Sequence, residues 1–340
     1  MDRLNVAVIG TGLMGSHFAR ILSQLPQARL RAVCDPDEAR SKRLAVEVGA
    51  KCYLDYEEML RSEPEVQAVV ITVPDTLHLA PALCAIGLGK HVFIEKPLAT
   101  TVAEARQICE AADSRGLTLM VGHYLRFDPR YVALHNSITS GDVGQLISIY
   151  MRRNPSSNSM RRIGGRVSAA YWVGVHDIDI MNWITRVRPA KVFAREVRKG
   201  LTGINASECI AAMITLEDGT IAILENSWAS PAVQGRPMSF MLEVRGEEGV
   251  IDLNAYEQGI LVHTQSTLTS PDTLYFPSVH GILSGPYRDE MVHFVDCVFT
   301  RSRPVVDGRD GLAAVVVADA IERSIQTGSE IDLISEGAWD

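Results

Sequence analysis

The chain is expected to form an α/β protein in two parts. A doubly wound, dinucleotide-type domain covers residues 1–122. An α+β domain with a large, mostly antiparallel open sheet covers residues 123–340. Three observations predict this. Short β-rich runs alternate with helical stretches as far as about residue 122, which gives a parallel sheet with helices on both faces. The first run passes through a glycine turn directly into a helix. After residue 123 the alternation stops, and long strands joined by tight turns follow.

In the first part the runs are 5–9, 30–34, a weak one at 51–54, 68–73, 91–94 and 117–121. Thr101 with Glu104 forms a capping box, Asp55 with Glu58 a variant of one, and Gly49 and Gly116 stop their helices. In the second part a helix over 129–139 leads to a strand at 145–152, a basic loop, and a helix at 172–185. Strands are expected at 190–198, 208–216, 220–228, 238–245, 249–253 and 259–264, with turns at 217–219 and 246–249. Helices at 288–300 and 311–326 close the chain, and Pro- and Ser-containing loops at 154–159 and 267–277 are excursions.

The organising stretch is Gly10-Thr11-Gly12-Leu13-Met14-Gly15 after the apolar run Val6-Ala7-Val8-Ile9. In G-x-G-x-x-G the first glycine permits the tight turn. The second lets the backbone approach a pyrophosphate, and the third lets helix and strand pack closely. The helix then offers unpaired N–H groups and its positive dipole end to the phosphates. Asp35 ends the second run, twenty positions after Gly15. A carboxylate there binds the adenosine ribose hydroxyls and repels a 2′-phosphate, so NAD is expected as cofactor and NADP less so. Asp35 also reads as a helix N-cap before Pro36, a role compatible with the first.

Bulk properties narrow the partners. Of 340 residues 46% are apolar and 22% charged, and the formal net charge is −8, which argues against nucleic acid or an anionic membrane. The apolar runs are shorter than a membrane span, and the first strand begins too early to leave room for a signal peptide. The six cysteines are scattered without a C-x-x-C, so they read as reduced core residues of a cytoplasmic protein. The chain carries no Cys/His cluster for a metal and no G-x-S-x-G.

Lys96 follows the fifth run, at the sheet edge where open α/β folds bind ligands. A lysine there could bind a substrate hydroxyl and stabilise developing oxyanion character, or lie as a surface lysine in a loop. Pro97 fixes the backbone after it and is a candidate for a cis bond that aims Lys96.

Taken together, Gly10 to Gly15, the segment Thr72-Val73-Pro74-Asp75-Thr76-Leu77-His78, and Glu95-Lys96-Pro97 resemble the signatures of the Gfo/Idh/MocA family of oxidoreductases. Residues 121–129 and Pro304…Asp310-Gly311 extend the resemblance over nearly the whole chain. It implies a Rossmann domain and a second domain whose open sheet makes subunit contacts, in a homodimer or homotetramer. It also implies hydride transfer between a nicotinamide and a secondary alcohol or carbonyl of a sugar, cyclitol or sugar derivative. Lys96 matches the family's catalytic lysine and His176 its acid/base histidine. Thr72, Pro74, His78 and Glu95 join Gly10, Thr11, Gly12, Leu13, Met14, Gly15, Asp35 and Lys96 as expected cofactor contacts. His78 resembles a position near the nicotinamide ribose, and Asp75 stands where the family more commonly has Asn. For His78 and His123 a structural hydrogen bond competes with a ligand contact.

One departure stands out. Many family members carry an aspartate four residues before the histidine, on the same helix face. Here that position is Trp172, with Tyr171 beside it and Asp179 three residues after His176. The neighbouring stretch 152–166 holds five arginines and no acid. It fits an anionic substrate such as a sugar acid, sugar phosphate or nucleotide sugar, or else a subunit interface or solvated loop. Arg153, Trp172, Asp179, His123, Lys96 and His176 are therefore the candidate substrate residues. Trp172 also leaves open a cofactor-binding regulator of the same fold without catalysis, or a family member with unusual chemistry.

Overall fold

A computed structural model describes residues 3–163, 165–199, 204, 206–228, 238–254, 259–266, 268–269 and 271–339. Gly164, within the arginine-rich stretch, and Thr267, at the start of the second excursion, lie outside them. The chain folds into two compact units. The first comprises the chain up to Phe127 together with Leu274–Leu312; the second comprises Asp128–Thr273 and the chain from Ala313 on. Packing therefore returns to the first unit a segment that the 122/123 division in sequence order places in the second domain.

In chain order the first region runs β1 (Leu4–Ile9), α1 (Leu13–Gln24), β2 (Ala28–Cys34), α2 (Glu38–Val48), β3 (Lys51–Tyr53), α3 (Tyr56–Ser62), β4 (Ala68–Ile71), α4 (Leu79–Gly87), β5 (His91–Glu95), α5 (Val102–Ser114) and β6 (Leu119–Gly122). Then follow α6 (Pro129–Ser140), β7 (Leu146–Pro155), α7 (Ser157–Ile163), a π-helical turn (Ala170–Gly174), α8 (Val175–Thr185), β8 (Pro189–Val197), β9 (Cys209–Leu216), β10 (Ile221–Ser227), β11 (Met238–Gly246) and β12 (Val250–Asn254). Short strands β13 (Val262–His263), β14 (Leu268–Thr269), β15 (Ser278–Val279) and β16 (Ile282–Leu283) precede α9 (Pro286–Thr300), α10 (Gly308–Thr327) and β17 (Ile331–Asp332).

In the first unit six parallel strands lie in the order β3-β2-β1-β4-β5-β6. The fully apolar, buried β4 (AVVI) is what a strand covered on both faces requires. Register fixes the functional edge. Ile9 pairs with Cys34 and Ile71, Ile71 with Ile94, and Ile94 with Val121. Gly10, Asp35, Thr72, Glu95 and Gly122 therefore line up at one end of the sheet. The expected caps form: Asp55 Oδ1 accepts from Glu58 N at 2.8 Å and Thr101 Oγ1 from Glu104 N at 3.2 Å. Gly49 ends α2 with φ 68°, in the left-handed region that favours glycine.

The returning segment is bound to this unit by aromatic packing. Tyr287 stacks on Tyr124 at 4.3 Å and on Phe276 at 4.8 Å between ring centroids, and Phe294 meets Phe93 edge-on at 5.8 Å. Arg126, 5% exposed, pairs with Asp310 at 3.1 Å and donates to the Val305 carbonyl at 2.8 Å.

The second unit carries a seven-stranded sheet, β12-β11-β7-β10-β9-β8-β17, mostly antiparallel. One pair departs from the expected pattern, since β7 and β10 run parallel. The basic loop expected after residue 152 is also corrected. β7 continues to Pro155 because Arg152 pairs with Glu225 on one side and Met241 on the other, and α7 follows. The strand expected at 259–264 reduces to the two residues of β13. One sheet face is buried through Ile149, Met151, Ile214 and Leu224, while Met213, Ile221 and Ile223 on the opposite face are exposed.

Candidate active site

The glycine turn has the geometry its sequence demands. Gly10 has φ +93°, and a Cβ there would lie 2.8 Å from the Thr72 backbone. A Cβ on Gly15 would lie 1.9 Å from the Gly10 carbonyl oxygen and 2.5 Å from Thr72 Oγ1, so close packing of helix and strand excludes any side chain. Thr72 Oγ1 donates to that same Gly10 carbonyl at 2.8 Å and ties β4 to the turn. Gly12 differs, because a Cβ there would meet nothing within 4 Å. It caps α1 without a side-chain hydrogen bond, so the helix N-terminus has bare backbone at its open end. Leu13 is exposed and Met14 half-buried beside it.

Asp35 is 7% exposed. Its Oδ2 accepts the Thr11 N–H at 2.7 Å and its Oδ1 the Asp37 N–H at 2.9 Å. The α2 cap is Asp37, not Asp35, with its Oδ1 accepting from Arg40 N at 3.0 Å. Asp35 is thus clamped to the glycine turn and holds a buried carboxylate at the end of β2, where a ribose diol binds. A bare helix N-terminus, an open second glycine and an aligned carboxylate together fit an NAD molecule lying along the strand edge.

Lys96 directly follows β5, is half-buried, and precedes a cis peptide bond to Pro97. Glu95 is 8% exposed; its Oε2 accepts the Lys96 backbone N–H at 3.1 Å, and its Oε1 has no hydrogen-bond partner among the described residues. Burial pushes the Glu95 carboxyl up to about 7, against the pull of the Lys96 charge. His78 faces two carbonyls, with Nδ1 2.8 Å from Pro97 O and Nε2 3.1 Å from Val73 O. A neutral imidazole can donate to only one of them, yet burial lowers its pKa. The ring thus lies between the Lys96 loop and the loop after β4, where Pro74 is exposed, and its one N–H ties it to one of them. His123, 1% exposed, sits just past β6.

In the second unit His176 is 7% exposed in the first turn of α8. The sequence predicts one helix from 172; instead a π-helical turn at Ala170–Gly174 feeds α8. Gly174 permits it, because a Cβ there would lie 2.8 Å from Asn226 Oδ1. Such turns recur at functional sites because they re-aim side chains, and this one alters the angular offset of Trp172 from His176. Asp177 beside it is held by Arg153 Nε at 2.8 Å and Asn226 Nδ2 at 3.1 Å. Burial of Asp177 outweighs these donors and raises its pKa. Arg153, a substrate candidate, is 2% exposed, also donates to Tyr131 Oη at 3.0 Å and lies 4.4 Å over the Phe240 ring. Its fork is spent within the fold. Asp179 is 1% exposed.

Trp172 stacks on Trp228 at 4.9 Å and 20°, and Arg162 lies over its ring at 5.8 Å. Trp228 and Asn226 escaped the sequence reading. Both leave the end of β10 some fifty residues after Trp172, and no local pattern marks them.

The fold and first-unit geometry define a class: an oxidoreductase with NAD bound on a Rossmann sheet. The chain belongs to the Gfo/Idh/MocA family. The profile described as "Oxidoreductase family, NAD-binding Rossmann fold" matches residues 4–123, and the family's C-terminal domain matches 131–252. An inositol 2-dehydrogenase 2 of Saccharopolyspora erythraea is 30% identical over 350 residues, covering 96% of this chain and 94% of that protein. An inositol 2-dehydrogenase of Rubrobacter xylanophilus is 29% identical over 336 residues, covering 96% and 92%. The structure of GenD2 from gentamicin A biosynthesis in complex with NAD matches with a TM-score of 0.86 at 25% identity, covering 98% of this chain and 97% of that one. The Lactobacillus casei scyllo-inositol dehydrogenase, solved with NAD(H) and scyllo-inositol, has the same fold, with a TM-score of 0.85 at 21% identity, covering 98% and 100%.

Proposed function

We propose that the chain is an NAD-dependent dehydrogenase acting on a secondary alcohol of a polyol, cyclitol or sugar derivative, or reducing the corresponding carbonyl. The observation that carries this is the alignment of Gly10, Asp35, Thr72 and Lys96 along one sheet edge. The inositol 2-dehydrogenases it is similar to support the polyol class. NAD, when bound, supplies the hydride acceptor. Lys96 donates a hydrogen bond to the carbinol oxygen and stabilises the charge that develops there. His176 takes the hydroxyl proton, and reduction runs the same path backward. An acidic substituent on the substrate fits the arginines of α7. The exposed apolar face of the seven-stranded sheet, with Met213 against Ile223, fits burial against a second copy of the chain.

The test is nicotinamide absorbance on a panel of polyols, inositols and sugar acids with NAD or NADP. Turnover with NAD, reduced by roughly 100-fold or more in Lys96→Ala and His176→Ala, is expected. Unchanged turnover in both variants would overturn the assignment. NAD binding with no turnover anywhere on the panel would favour a regulator.

A further inference from the structure

Arg162, Trp172 and Trp228, we propose, recognise an anionic substituent, carboxylate or phosphate, on the substrate. The inference rests on the dehydrogenase reading and names the substrate class of that site.

The argument starts from hydrogen-bond type. Trp172 lies in the π-helical turn that runs into His176. Arg162 Cζ lies 5.8 Å from the Trp172 ring centroid. Arg162 is exposed, and among the described residues no ion pair engages it, in a chain of net charge −8. The Trp228 ring stacks on Trp172 at 4.9 Å; it is 1% exposed, and its Nε1 has no hydrogen-bond partner among the described residues. A buried indole N–H usually finds an acceptor, so this one implies an acceptor from outside the fold. The Asp177 carboxylate, five residues after Trp172, is engaged by Arg153 and Asn226. A hydroxyl needs both donors and acceptors around it, whereas a carboxylate or phosphate only accepts. A guanidinium fork and an indole N–H therefore suit an oxyanion better than another ring hydroxyl. Trp172 itself brings no acceptor, and its π-face steadies the Arg162 cation.

The test compares D-glucuronate and D-glucose 6-phosphate with D-glucose and myo-inositol, using the intact chain with NAD. We expect at least one anionic substrate to exceed its neutral counterpart in kcat/KM by about 10-fold or more, chiefly through KM. The two acids separate carboxylate from phosphate. In Arg162→Gln the acid-to-neutral ratio should fall by about 10-fold, and Arg162→Lys should restore part of it. Equal losses on acidic and neutral substrates, or a neutral preference in the unaltered chain, would overturn the proposal. Intrinsic tryptophan fluorescence titrated with D-glucuronate gives a readout independent of turnover. Saturable quenching that weakens in Arg162→Gln supports anion recognition even if no substrate turns over, an outcome that would sink the dehydrogenase reading alone. Quenching identical in both proteins, or none, would overturn anion recognition whatever the turnover.

Discussion

The cradle of the first unit and the tryptophan–arginine cluster of the second are built on opposite principles. The cradle is made of backbone. At its turn, Gly10 and Gly15 have no room for a side chain, and Gly12 leaves the backbone open. The cluster is made of side chains from three separate segments, α7, the π-helical turn and the end of β10. A site made of backbone tolerates no added atoms but needs few particular partners. A side-chain site depends on which residues happen to meet, and so is free to change its ligand while the fold persists.

The sharpest way to break this contrast is at the glycines. Gly15→Val should cost at least about 3 kcal/mol in urea unfolding and abolish NAD binding, because its Cβ begins 1.9 Å from a carbonyl oxygen. Gly12→Ala should leave the unfolding midpoint nearly unchanged, yet weaken NAD about 10-fold or more by calorimetry, since its Cβ points into open space a phosphate needs. If both variants lose stability equally, Gly12 serves packing rather than a ligand.

Next in size is Arg153→Met. Removing the partner of buried Asp177 should destabilise the chain by about 3–5 kcal/mol in urea unfolding. If Arg153 instead contacts substrate, stability will hold and KM will rise.

A pH titration reaches Glu95. Its folded-state pKa, about 7, lies above the ordinary carboxyl value. The folded state therefore binds the extra proton, and its contribution is present below about pH 4.5 and lost as pH rises through 7. The stake is on the order of 3 kcal/mol. Glu95→Gln should flatten the unfolding free energy between pH 5 and 8. His78, pushed down by burial, acts oppositely: its contribution is lost as pH falls through the ordinary histidine range. A variant profile parallel to the parent's would show that Glu95 ionises normally.

The smallest expected effect is at Asp35. Asp35→Ser should weaken NAD about 10-fold and narrow its preference over NADP, measured by calorimetry with each nucleotide.

These contrasts also explain what could be read in advance. β1, the glycine turn and Asp35 were legible because one segment of consecutive residues makes them, and the apolar periods around them allow a single arrangement. The caps at Asp55 and Thr101 were legible for the same local reason. The reach of β7 past residue 152 was hidden, because strand pairing on both sides, and not the arginines themselves, decides it. The π-helical turn was hidden because it depends on Gly174 meeting Asn226, which lies far away in sequence at the end of β10. The burial of Arg153 was likewise invisible, since the arginine run fits a ligand, an interface or solvent equally and its partner Asp177 lies on a different element.

The return of Leu274–Leu312 to the first unit has a consequence for the order of events on the ribosome. Phe18, Phe93 and Tyr124 emerge early, but Phe276, Tyr287 and Phe294, which cover them, are more than a hundred residues behind. The nucleotide-binding half therefore waits, with an aromatic surface uncovered, until Tyr287 and Phe294 have been synthesised. Its completion is a far later event in translation than the appearance of its signature.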